Sequence, residues 1–453
     1  MKKIIVNLLR FAFAAVFIFS GYVKLIDPLG FTYKIQEYLE NFGGFFQMFE
    51  VLAFPAAIAA AAIELIIGIN LLLGIYRKQT TILAILFMAV MTPLTLYIAL
   101  FNPVSDCGCF GDALIIGNWT TFWKNIVLSA IIITLFICRK DIIPFLGRKT
   151  RIFAVVYAVI FSVGLSIYSY RHLPLIDFLP YSIGTYIPEK MEYPEDAPRD
   201  VFVTILTYKN NETGEQKDFK LKGSMMVETK EKTFWAWIKQ LFGCDSKDEI
   251  EHEFSEFSTG WTFVAQNSKR IKKGYEPPIH DFSITTYEDG DITEEILEDE
   301  NYTFLLISPK LEKANLRKSE QINQIYEFAQ RYGYKFYALT ASLSDDIEDY
   351  IRETGAKYPF AMTDETTLKT IIRSNPGLLL LKDGTILNKW HFNDLPNFAA
   401  PLETSALGEI QPNHATKKTL IAAVIFFVPI LAMPILVLIG FRVITIRKKK
   451  SKK

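Results

Sequence analysis

A membrane helical bundle joined to a water-exposed α/β domain is the fold class this chain predicts. Three observations predict it: apolar stretches long enough to cross a bilayer, one-sided placement of Lys and Arg around them, and a strand–helix rhythm before the last stretch. Composition agrees, since 50% of the 453 residues are hydrophobic and mean hydropathy is +0.19, while 22% are charged and need water. Lys+Arg and Asp+Glu each total 49, so no basic excess points to nucleic acid as a partner. Four cysteines exclude a small disulfide-scaffolded fold, and any thiol chemistry has to rest on one specific pair.

A membrane-spanning helix takes about 20 apolar residues, because every main-chain N–H and C=O must be paired within the segment. Six stretches qualify: Ile4 to Ile26, Val51 to Tyr76, Thr80 to Phe101, Thr121 to Ile137, Ile152 to Tyr170 and Leu420 to Phe441. The first reads as a span and not as a cleaved leader, because it continues past Ala12, Ala14 and Ala15 to Gly21 and five more spans follow. Lys2, Lys3 and Arg10, then Arg77 and Lys78, then Arg139, Lys140, Arg148, Lys149 and Arg151, and finally the tail from Arg442 to Lys453 all fall on one side. Positive residues favour cytoplasmic flanks, so both termini are expected in the cytoplasm of a bacterium, with Asp27 to Glu50, Asn102 to Thr120 and Arg171 to Lys418 on the periplasmic face of the inner membrane. The expected division is a four-helix membrane domain at 1–140, a fifth helix at 151–170, a β-rich segment at 171–277, an α/β domain at 278–400, a last helix at 420–441 and a basic tail at 442–453.

Between the fifth and sixth spans, Val201 to Tyr208 and Trp261 to Gln266 alternate as short strands around a Trp235/Trp237 patch, and Gly274 to Pro278 punctuates the chain. The rhythm then changes. Strands are expected at Phe304–Ser308, Lys335–Thr340, Pro359–Met362, Gly377–Leu381 and Thr385–Trp390, and helices at Arg317–Tyr332, Asp345–Glu353 and Glu365–Arg373. Lys382-Asp383-Gly384 marks a hairpin turn between the last two strands. The acids Glu288, Asp289, Asp291, Glu294 and Glu295 read as a solvated face, since a calcium site needs a defined ligand loop.

Residues Pro278 to Pro396 resemble a thioredoxin or peroxiredoxin-like fold. The likeness rests on that hairpin and on Asn375-Pro376-Gly377-Leu378-Leu379, where such folds carry a cis-proline before the penultimate strand. The resemblance implies redox cysteines after the first core strand, at a helix N-terminus that favours a thiolate. Here the chain has Ser308-Pro309-Lys310-Leu311-Glu312-Lys313, and no thiol follows Cys244. The domain is therefore expected to bind or to scaffold, not to exchange disulfides itself.

The chemistry lies in Asp106-Cys107-Gly108-Cys109-Phe110-Gly111-Asp112, at the outer end of the third span. Two thiols one residue apart close only a small ring, for which Gly108 supplies the permissive dihedrals. Three readings stand side by side: a labile, redox-exchanging pair, a structural disulfide or turn, and a metal site, for which two thiols are too few ligands. Asp106 and Asp112 oppose thiolate formation, and Lys24 at the outer end of the first span is the cation expected to offset them. Cys138 lies at the cytoplasmic end of the fourth span, and Cys244 reads as a lone surface thiol or a distant resolving one. Glu64 stands mid-span and marks an intramembrane site, either functional or hydrogen-bonded in neutral form to Thr92 or Thr95. Ala59, Ala60, Gly68 and Gly74 would let helices approach closely.

Phe19-Ser20-Gly21-Tyr22-Val23-Lys24-Leu25-Ile26-Asp27-Pro28, followed by Glu64, Gly68 and Gly74, resembles the DoxX family of four-helix membrane proteins. Asp106 to Gly111 is similar to the cysteine signature of the related MauE proteins, over about Met1 to Lys140. That resemblance implies a role in maturation or disulfide formation of an exported protein. The expectation is a thiol–disulfide relay in which Cys107 and Cys109 exchange with an exported partner, with Lys24 and Glu64 as accessory site residues and electrons passing to a quinone near Glu64. No other cofactor is evident, and the lipid bilayer is the remaining partner. The alternative is a non-enzymatic, membrane-anchored scaffold whose thioredoxin-like domain binds a partner. A third reading, small-molecule transport through the bundle, rests on Glu64 and Asn70.

Overall fold

A computed structural model describes residues 1–397, except 105, 148–149, 195, 199–200, 212, 214–215, 223–224, 229–250, 253–260 and 273. The sixth span, the basic tail, Arg148, Lys149, the Trp235/Trp237 patch and Cys244 lie outside the described residues. Contacts divide the chain into two compact units: Met191–His280, and Met1–Lys190 together with the chain from Asp281 onward.

Among the described residues, five segments are long and apolar enough to cross a membrane. They are α1 (Lys2–Ile26), a 3-10 turn at Gly44–Leu52 running into α3 (Ala53–Leu73), α4 (Arg77–Phe101), α5 (Asn118–Ile137) and α6 (Arg151–Arg171). This is a multi-pass membrane protein. The second span ends at Leu73 and not at Tyr76, because Gly74 takes a left-handed φ of 66° and turns its N–H back to the carbonyls of Asn70 and Leu71. Between the first two spans lies α2 (Pro28–Phe42), a helix the apolar-run reading missed. Its start is encoded locally: the Asp27 carboxylate accepts from Gly30 N at 2.9 Å, and Pro28 occupies the first helical position.

Helices α1 and α3 pack backbone to backbone. A Cβ at Gly21 would lie 2.6 Å from Leu65 N, and one at Gly68 would lie 2.8 Å from Ile18 N, so both positions require glycine. Around this seam Phe13, Ala14, Phe17, Leu65, Ile67 and Leu71 are buried. The basic helix ends come together at one end of the bundle. There Lys2 pairs with Asp141 at 3.2 Å, and Arg10 and Arg77 donate to the carbonyls of Ile143 and Ile142.

The α/β domain is a seven-stranded sheet in the order β12-β11-β8-β9-β10-β6-β7. The strands are β6 (Thr285–Thr286), β7 (Gly290–Asp291), β8 (Tyr302–Ser308), β9 (Lys335–Thr340), β10 (Phe360–Met362), β11 (Gly377–Lys382) and β12 (Thr385–His391). β8, β9 and β10 are parallel, joined through α7 (Ser319–Tyr332) and α8 (Ser344–Thr354), and α9 (Glu365–Ile371) leads back to antiparallel β11. β8 is buried along its whole length and β11 except at its last residue, as central strands covered on both faces must be. The expected α/β domain is present, with the expected strands in the order β12-β11-β8-β9 and a cis peptide at Asn375–Pro376. Residues 172–190 belong with this unit: Gly184 N donates to Ile386 O and Ile187 N to Gly384 O along the free edge of β12.

The other unit is an antiparallel sheet ordered β4-β3-β2-β1-β5, from β1 (Val201–Asn210), β2 (Gln216–Lys222), β3 (Met225–Glu228), β4 (Glu251–His252) and β5 (Trp261–Lys272).

Candidate functional site

Close α1–α3 packing brings three polar side chains together in an apolar surround. Ser20 and Lys24 are one helical turn apart on α1, and Glu64 faces them from α3. Lys24 Nζ lies 2.9 and 3.0 Å from the two carboxylate oxygens of Glu64, and the side chains are only 3% and 6% exposed. A charge pair this deep is retained only with both partners and its hydrogen bonds in place. Ser20 completes it, with its hydroxyl 2.7 Å from Glu64 Oε2 and also 2.7 Å from the main-chain oxygen of Cys109. One proton is shared between the ion pair and the cysteine loop. Thr92 and Thr95, expected beside Glu64, instead join α4 to α5 through Ser129 and Asn125.

The loop after α4 is held from two sides. Ser20 holds the carbonyl of Cys109, and the hydroxyl of Tyr38 on α2 donates to the carbonyl of Cys107 at 2.6 Å. The Asp106 carboxylate accepts from Gly108 N at 2.8 Å, and Gly108 takes the left-handed φ of 63° that the bend demands. The result brings the Cys107 and Cys109 sulfurs to 2.9 Å, both as free thiols. Ile98, Val104, Tyr38 and Tyr97 pack around Cys107, which is 7% exposed. Cys109 is less enclosed.

The two thiols are electrostatically unequal. The hydrogen bond with Cys107 pulls Cys109 below the ordinary thiol range, against the upward push of burial and with help from the ammonium groups of Lys124 and Lys24. Cys107 is pushed well above the ordinary thiol range by that same hydrogen bond and by burial. Lys124 also lies over the Phe110 ring at 4.3 Å. The arrangement favours the thiolate at Cys109 over one at Cys107.

Lys24 is paired with Glu64 and lies over the Phe31 ring at 4.7 Å; its charge still lowers the pKa of both thiols, while the loop acids have direct partners of their own. Asp106 pairs with Lys34 of α2 at 3.1 Å, and Asp112 pairs at 2.7 Å with Arg373, which follows α9 of the α/β domain. Arg373 also binds Asp27 at 2.8 Å and is 4% exposed. Within the α/β unit Lys389 pairs with Asp177 at 2.7 Å, and Asn393 donates to the carbonyl of Arg171 at the end of α6. A cleft of about 1380 Å³ runs between α2 and the α/β domain, with Tyr33, Asp106 and Asp112 on one wall and Lys310, Lys369 and Asn375 on the other. At the position where the resemblance implied cysteines, Ser308 donates to Asn375 Oδ1 at 2.6 Å. Cys138 closes α5 at the opposite end of the bundle from the Cys107–Cys109 loop. Among the described residues no cluster could hold a metal ion.

Tyr38, Lys34, Ser20 and Arg373 escaped sequence reading. Tyr38 and Lys34 carry a signal, because their spacing of four places both on one face of a helix that starts at Asp27-Pro28.

Fold and site together define a multi-pass membrane protein that carries a thiol pair beside a cysteine-free α/β domain. Residues 2–138 match the model of the family described as methylamine utilisation protein MauE. No curated protein matches the chain. Among solved structures, one described as a candidate protein disulfide isomerase from Bacteroides thetaiotaomicron is similar. The two are 12% identical over 32% of this chain and 84% of that one, with a TM-score of 0.22.

Proposed function

We propose that this protein is a thiol–disulfide exchange factor acting on an exported partner. The observation that carries the reading is the unequal pair, a Cys109 thiolate 2.9 Å from the Cys107 thiol in a loop fixed by Tyr38 and Ser20. The thiolate is the nucleophile in such exchange, and the less enclosed sulfur is the one a partner reaches. The Cys109 thiolate attacks one sulfur of a partner disulfide, forming a mixed disulfide and expelling the other partner sulfur as a thiolate. Cys107 then loses its proton and attacks Cys109. The partner's second thiolate leaves, and the Cys107–Cys109 disulfide remains. The reverse path oxidises a partner dithiol.

In this reading the kinship to DoxX proteins, the identity of Asp106 to Gly111 as a MauE-type signature, and the placement of loop and α/β domain on the periplasmic face of the inner membrane belong together. The exchange steps above need no quinone near Glu64. Both carboxylate oxygens of Glu64 are bound, and the cavity bordering Lys24 measures about 20 Å³, room for roughly one water. No step is assigned to it.

Substituting Cys107→Ser in native membranes tests the mechanism. The mixed disulfide on Cys109 should accumulate for want of a resolving thiol, and Cys109→Ala should abolish it. Absence of any adduct in Cys107→Ser, with wild-type thiols inert to redox buffer, overturns the proposal. The alternative, a scaffold with a structural loop, draws on the fastening of the α/β domain by Arg373. It predicts full function when both loop cysteines are serine.

A further inference from the structure

Arg373 lies 346 positions from Asp27 and 261 from Asp112, yet its guanidinium binds both. These two acids belong to different parts of the thiol site. Asp27 caps α2, the helix that supplies Tyr38 to the Cys107 carbonyl and Lys34 to Asp106. Asp112 stands three residues after Cys109 in the short 3-10 turn Gly111–Ala113. Tyr33, also on α2, receives Lys369 and Arg373 over its ring at 4.9 and 5.6 Å. Arg373 donates as well to the carbonyl of Lys369, so its own position is set from within the α/β domain.

We infer that Arg373 is a positioning residue for the Cys107–Cys109 pair, contributed by the cysteine-free domain: one buried guanidinium clamps α2 and the cysteine loop together and thereby sets the two sulfurs face to face. The inference rests on the exchange reading for its purpose but not for its geometry. It gives the α/β domain a task that needs no cysteine. A planar fork of donors can satisfy two carboxylates at once, which a lysine cannot match.

The test uses the full chain in native membranes, with an aromatic disulfide reagent as oxidant. Its S–S bond is reduced to two aromatic thiolates as the Cys107–Cys109 disulfide closes. In Arg373→Gln, closure is expected to slow about 10- to 100-fold, the scale on which small misplacements act. The pH midpoint for alkylation of Cys109 is expected to rise by about one unit as Asp112 loses its partner. Arg373→Lys should restore most of the midpoint but less of the closure rate, since it keeps charge and loses the fork. Arg373→Gln/Asp112→Asn should recover the midpoint. A wild-type rate and midpoint in a folded Arg373→Gln protein overturn the inference. If that variant does not accumulate, Asp112→Asn decides, because it keeps Arg373 on Asp27: closure slows if the clamp positions the loop, and unchanged closure overturns it. Should wild type form no partner adduct while these shifts persist, the exchange reading falls and the clamp stands.

Discussion

The hydroxyl of Tyr38 donates to the main-chain oxygen of Cys107 at 2.6 Å, so a helix that does not cross the membrane determines how the thiol loop lies. Burial pushes the phenol's pKa up, and it remains a donor throughout the neutral range. Tyr38→Phe removes one hydrogen bond, with a cost of about 1 kcal/mol. The expected outcome is a modest loss of thermal stability with a several-fold slower closure of the Cys107–Cys109 disulfide, read by gel shift after timed alkylation.

Cys109 should react as a thiolate far below the ordinary thiol range. Its alkylation rate is expected to rise through a midpoint below the ordinary thiol value, set first by the hydrogen bond with Cys107. In Cys107→Ala that partner is lost altogether, and the midpoint should climb. A single midpoint near the ordinary value of about 8.5 in both proteins would contradict the assignment of the thiolate.

The Lys24–Glu64 pair makes a sharper prediction about stability. Glu64→Gln leaves an uncompensated ammonium at a buried position, at a cost of about 3–5 kcal/mol. Glu64→Gln/Lys24→Met removes both charges and should recover most of that loss. Unfolding followed by tryptophan fluorescence in detergent measures both variants, and a double variant no more stable than the single one would refute a paired role.

His391, at the end of β12, is 2% exposed and accepts at Nδ1 from Asn393 N. Burial lowers its pKa to about 4, with Asp394 raising it and His172 lowering it. The unfolded chain therefore binds a proton that the folded one refuses, beginning at the ordinary value of about 6.5. Stability from this group is complete above about 6.5 and declines progressively as pH falls toward 4. Thermal melts across that window should show the decline, and His391→Gln should flatten it.

What the chain disclosed before folding follows the range of each interaction. In the α/β domain, Lys335–Thr340 emerged with the same bounds because a buried strand between polar turns is a local pattern. The first and last described spans were equally plain, since apolar length is countable. Helix α2 escaped because its periodicity is diluted by Lys34, Gln36, Glu37 and Glu40, although Asp27-Pro28 announces its start. Glu64 and Lys24 were each recognisable as unusual, but their pairing depends on the glycine seam at Gly21 and Gly68, which a linear reading sees only as small residues. Lys34, the direct partner of Asp106, is hidden for the same reason. Arg373 carries no local mark at all, for nothing in the residues around it points to a carboxylate 261 positions earlier.

The doubly bound Arg373 also limits how freely this chain can be taken apart. A polypeptide ending after α6 would keep both loop thiols, but Asp27 and Asp112 would face water without their shared counterion, and Tyr33 would lose the cations stacked on its ring. Another domain of the same fold, grafted in its place, would have to bring an arginine to that one spot. The membrane and α/β parts are thus two sequence modules that make one chemical unit, and substitutions on either side of the junction should be tolerated in matched pairs more readily than singly.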